Sequence, residues 1–127
     1  MKEDFIYFDH ASTSPLSQDV LEVINSANLH YWGNVSATYK FGIDCSIKLE
    51  SIRNNIALIL NSYSEDIIFT SGSSESISIV FNNLSENFKP ENIVISEVEH
   101  QATIISSNIL KKRGWKIIEW EVDNKGI

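Results

Sequence analysis

The stretch Ile68-Phe69-Thr70-Ser71-Gly72-Ser73-Ser74-Glu75 carries the densest chemistry in the chain. An apolar run enters a Gly-Ser turn, and the turn opens a segment with helical spacing. The first turn of a helix offers unpaired N–H groups and the positive end of the dipole. Gly72 permits close backbone approach, and Ser71, Ser73 and Ser74 add hydroxyls. Together they can hold a phosphate without a cationic side chain. The same residues also suit a plain strand-to-helix turn in which Ser73 or Ser74 caps the helix. The turn lacks G-x-G-x-x-G and is not followed by G-K-[ST], so it is neither a dinucleotide fingerprint nor a P-loop.

The other groups able to do chemistry are three histidines and one cysteine. His100 follows an apolar run ending at Ser96. His10 lies near the start of the chain and reads as structural or near a site. His30 precedes Tyr31-Trp32 and reads as packing at a helix end. Cys45 reads as a small apolar residue at a helix start, and a single cysteine excludes an intrachain disulfide. No cluster has metal-ligand spacing.

Elements that would position these groups follow from periodicity. Helices are expected at about 17–31, 46–61, 74–84 and 101–112. Ser17 should cap the first after Pro15, and Gly114 should end the last. The expected packed faces are Val20, Ile24 and Ala27; Leu49, Ile52, Ile56 and Ile59; Ile77, Val80, Phe81 and Leu84; and Ala102, Ile105 and Ile109. Strands are expected at 66–70, 92–96 and 116–120. The first two are apolar runs of the kind buried on both faces of a sheet. Strand-helix alternation after about residue 65 predicts an α/β fold with parallel strands.

The chain has 127 residues, 43% of them hydrophobic and 21% charged, enough for one modest packed domain. A net charge of -7 argues against nucleic acid or an anionic membrane as partner. The basic run Lys111-Lys112-Arg113 suits a helix C-terminus. Met1-Lys2-Glu3-Asp4 opens no signal-peptide stretch, and no run reaches transmembrane length, so the cytosol is the expected compartment.

Several segments, in this order and spacing, resemble cysteine desulfurases. Residues 7–15, Tyr-Phe-Asp-His-Ala-Ser-Thr-Ser-Pro, resemble the opening Y-L-D-[HN]-A-A-T-T-P. Gly33-Asn34-Val35-Ser36 resembles G-N-P-S, and Phe41-Gly42 a Phe-Gly pair before a long helix. Residues 68–75 resemble I-x-F-T-S-G-[AS]-T-E, and residues 96–100 resemble S-x-x-E-H. Gly114-Trp115, a strand and Val122-Asp123 resemble the next strand and its acidic turn. The resemblance is to the cysteine desulfurase/selenocysteine lyase group of the class V aminotransferase-like fold. It spans nearly all of this chain and about the first third of a family member.

The resemblance implies a pyridoxal 5'-phosphate (PLP) enzyme of fold type I. Residues 1–62 would form a mostly helical arm, and 63–127 the start of the PLP-binding α/β domain. Ser74 occupies the position whose hydroxyl and backbone bind the PLP phosphate, and Ser73 would add an N–H. His100 occupies the position that stacks on the pyridine ring and assists proton transfer, two roles that a flat imidazole suits. Asn34 would lie on the substrate side. Implied partners are L-cysteine, sulfur-acceptor proteins and, in the full-length form, a second subunit. Val35 in place of proline loosens the substrate-side loop.

The family's Schiff-base lysine, its pyridine-pairing aspartate and its acceptor cysteine fall after the region equivalent to Ile127. None of the eight lysines here sits in an S-x-H-K context. The expectation is therefore a truncated enzyme, a fragment or relic, inactive alone. A selenocysteine lyase or another class V aminotransferase keeps the same fold, and a non-catalytic interaction module is the remaining alternative.

Overall fold

The computed structural model describes residues 6–126. Met1–Asp4 and Ile127, which entered the sequence reading, lie outside them. The chain forms two compact units, one up to Ile67 and one from Ile68.

The first unit holds α1 (Gln18–His30) and α2 (Lys40–Leu60). Ser17 caps α1 as expected, its hydroxyl accepting from the Val20 N–H. Asn61 ends α2 in the left-handed region, with φ 52°. This helix starts six residues earlier than the apolar spacing predicts, because Gly42 belongs inside it. A Cβ at Gly42 would stand 2.7 Å from the Asn34 carbonyl oxygen, so the residue lets the 33–37 loop lie against the helix. Gly42, Cys45 and Ala57 are the buried residues of the helix; of the expected stripe Leu49 and Ile56 are half-buried, whereas Ile52 and Ile59 are exposed, Ile59 at 82%. Cys45 is thus a core residue inside the helix.

A correction falls at 66–70. Ser64–Asp66 form a single 3-10 turn, and 67–70 join no ladder among the described residues. Two local groups account for the turn. Ser62 Oγ donates to Asp66 Oδ2 at 3.2 Å, and the Arg53 guanidinium takes the Ile67 carbonyl.

The second unit holds α3 (Ser73–Asn87), β1 (Asn92–Ser96), α4 (Gln101–Lys112) and β2 (Lys116–Trp120). The strands pair in parallel, Asn92 opposite Lys116 through Ser96 opposite Trp120. This is the α/β fold that the alternation predicts. The described residues cover only one face of the pair. Val94 and Trp120 are 55% and 68% exposed, whereas Ile93, Ile95 and Ile117 are half-buried.

The packed face of α4 also differs from the expected one. Ser106, Ser107 and Leu110 are buried, while Ile105 and Ile109 are exposed. The two serines are small enough for close approach, and Ser107 Oγ donates to the Ile104 carbonyl of its own helix at 2.9 Å. That bond removes the cost of burying the hydroxyl.

Candidate functional site

Two turns, at 70–76 and 96–102, carry the candidate groups of the second unit. Gly72 is the N-cap of α3, with φ 154° and ψ -177°, a combination essentially reserved for glycine. No atom lies within 4 Å of where its Cβ would stand. Glycine is therefore required for backbone shape, and the space beside it is open.

Side chains build the turn from both sides. Thr70 Oγ1 and Ser76 Oγ each lie 3.2 Å from the Gly72 carbonyl oxygen, and 2.9 Å from one another. Glu75 reaches back to accept the Ser71 N–H at 2.5 Å. The backbone and then the hydroxyl of Ser71 hold its carboxyl below its ordinary range. No side chain caps the α3 N-terminus. Ser73 and Ser74 are thus not caps. They are the first two helical residues, and α3 offers no intrahelical acceptor for their N–H groups. Neither Oγ has a hydrogen-bond partner among the described residues.

The second turn is closed differently. Ser96 Oγ accepts the Val98 N–H at 3.3 Å. Glu97 N–H donates to the Trp120 carbonyl, and Glu97 Oε2 accepts the Val122 N–H at 3.4 Å. Glu97 therefore ties the exit of β1 to the exit of β2. His100 is the N-cap of α4, its Nδ1 accepting the Ala102 N–H at 3.1 Å.

Both turns lie at one end of the unit. Ser78 and Ser85 of α3 share a small cavity with Ser106 and Leu110 of α4. Arg113 Nη1 ties the far ends together, bonding Ser85 Oγ and, at 2.8 Å, Glu86 Oε1. The helices therefore run parallel. The sequence offset of 27 between Glu86 and Arg113 is also that between Ser73 and His100 (100 - 73 = 27). Both starts lie about 19 Å from that tie, at 1.5 Å rise per residue. An open groove of about 530 Å³ runs alongside, lined by Phe81, Leu84, Ser96, Glu99, Thr103 and Trp120 among others.

Asn34 belongs to the first unit, where Oδ1 accepts the Ser36 N–H at 2.9 Å and shapes its own loop. His10 makes an edge contact with the Tyr7 ring, centroids 4.9 Å apart. His30 is exposed, its Nδ1 lying 2.8 Å from the Ser26 carbonyl oxygen one turn back in α1. The described residues hold no cluster of metal-ligating side chains.

Glu75 and Glu97 were not singled out as chemical groups from sequence. Glu75 was discoverable, because a carboxylate three residues past an N-cap commonly reaches back to a turn amide. Glu97 was not, since its partners lie across the sheet.

An uncapped helix start after a Gly-Ser turn thus lies level with a histidine beyond a parallel strand, in an α/β unit. Residues 6–127 match the aminotransferase class-V family, and the chain belongs to it. It corresponds to the N-terminal part of cysteine desulfurases. Over 123 residues it is 32% identical to the cysteine desulfurase IscS of Dictyoglomus turgidum, covering 95% of this chain and 31% of that one. The apo structure of a cysteine desulfurase from Thermococcus onnurineus superposes with TM-score 0.82 at 29% identity, over 95% of this chain and 31% of that one. A structure of SspA in complex with cysteine gives TM-score 0.76 at 26% identity, over 89% and 33%. The chain thus spans about a third of the length of these relatives.

Proposed function

We propose that the Gly72–Ser74 turn holds the phosphate of PLP, and that the chain supplies this part of the site in a cysteine desulfurase. The observation that carries the reading is the α3 start, where no side chain competes for the first N–H groups and Gly72 leaves the approach open. The residues fit the group: a phosphate needs convergent donors, and the Ser73 and Ser74 amides with the Ser74 hydroxyl supply them without a cation. When bound, PLP supplies an electron sink for charge developing on the carbon of an amino acid.

This chain's residues bind and orient. The Thr70, Ser76 and Glu75 bonds hold the turn in one shape before any ligand arrives, which lowers the ordering cost of binding. His100, level with Ser73, would offer its ring face to the pyridine. L-cysteine is the proposed substrate, giving L-alanine and passing sulfur to an acceptor cysteine for iron–sulfur or thio-cofactor assembly. Its support is the family and the cysteine bound by SspA. A homodimer is the proposed assembly of the full-length form.

The 127 residues alone are proposed to be inactive, because none of the eight lysines lies in the family's S-x-H-K context. Purified chain with PLP and L-cysteine should release no sulfide or alanine above a buffer-plus-PLP control. Production above that control contradicts the proposal.

A further inference from the structure

The ring of His100 has a fixed chemical form, set by its position at the start of α4. Neutral imidazole carries one N–H and one in-plane lone pair. The partner of Nδ1 is the Ala102 N–H at 3.1 Å, which can only donate. Nδ1 must therefore hold the lone pair, and the proton must be on Nε2. His30 is the opposite case: its Nδ1 lies 2.8 Å from the Ser26 carbonyl oxygen, which can only accept, so there Nδ1 carries the proton.

We infer that the cap on α4 holds His100 as the Nε2–H tautomer, with Nδ1 as the acceptor for the helix start and Nε2–H as a hydrogen-bond donor. The ring's only lone pair is committed to Ala102. The Glu97 and Glu99 carboxylates share the loop, and among the described residues neither bonds the ring.

His100 is thus a positioning residue for its own helix as well as the candidate stacking group. At the proposed PLP site it would present a ring face and an Nε2–H donor, with Nδ1 turned into the protein. The tautomer rests on the geometry of α4 alone. Its relevance to a cofactor rests on the reading proposed above.

The test is long-range 1H–15N spectroscopy of the imidazoles in the 15N-labelled 127-residue chain at neutral pH. Assignment uses His10→Gln and His30→Gln. His100 should show an unprotonated Nδ1 and a protonated Nε2, and His30 the reverse, in one spectrum. In His100→Ala the Ala102 amide should exchange about fivefold faster, and His100→Asn, which can cap, should restore slow exchange. A protonated Nδ1 in His100, or an unchanged Ala102 exchange rate in His100→Ala, overturns the inference. Adding PLP separates the two claims. If the His100 resonances are fixed as stated but do not respond to saturating PLP, the cofactor reading falls and the tautomer stands.

Discussion

The two helix starts of the second unit solve the same problem in opposite ways. At α4, His100 gives its lone pair to the Ala102 N–H, and the start is closed. At α3, Gly72 has no side chain to give, and Thr70, Ser76 and Glu75 bond the turn around the helix end, leaving the Ser73 and Ser74 amides clear. A helix end built without its own cap leaves room for an external anion, and one capped by a side chain does not. The parallel packing of the helices sets the open start level with the histidine that closes the other.

The comparison breaks most readily at Gly72. Gly72→Ala forces φ 154° on a residue with a Cβ, which costs about 1–3 kcal/mol. Chemical denaturation should show that loss, and PLP binding should fall with it. A Gly72→Ala chain of unchanged stability would mean that the turn does not hold this shape. A smaller effect is expected at the closed start. His100→Ala removes a cap worth about 1 kcal/mol, and the same denaturation experiment should return it, with His100→Asn close to the parent.

The smallest effect concerns pH. The carboxyl of Glu75 is held below its ordinary range by the Ser71 amide and hydroxyl. A folded-state pKa below the unfolded value of 4.5 contributes stability at pH values above 4.5. That contribution is lost as pH falls below 4.5 through the folded value. Glu75→Gln, which keeps an acceptor but cannot titrate, should therefore have a shallower acid limb than the parent. Parallel acid limbs would show that Glu75 does not hold Ser71 in solution.

Much of this architecture is legible in the residues, and the exceptions have physical causes. The bounds of β1, α4 and β2 follow from apolar spacing and Gly114, and those of α1 from Ser17. Capping and periodicity are local and leave local marks. Packed faces are set by what lies opposite, so Ser106 and Ser107 displaced Ile105 and Ile109 from the buried face of α4. The apolar run at 67–70 has strand composition, but a strand exists only with a partner, and the described residues provide none. The Ser71–Ser74 turn was legible as a phosphate holder or a capped turn. The structure sets Ser73 and Ser74 aside as caps, because the N-cap falls on Gly72, a boundary that residue type alone does not mark. The role of His100 as a cap was not legible, because Ser, Thr, Asp and Asn dominate such positions.

The most direct test is titration of the 15N-labelled 127-residue chain with PLP, following backbone amides. The account predicts saturable shifts centred on Gly72, Ser73 and Ser74, reversed by dialysis, with no lysine fixed by borohydride. Shifts centred elsewhere with the α3 start unmoved, or stoichiometric fixation of PLP on one lysine of this chain, would contradict it.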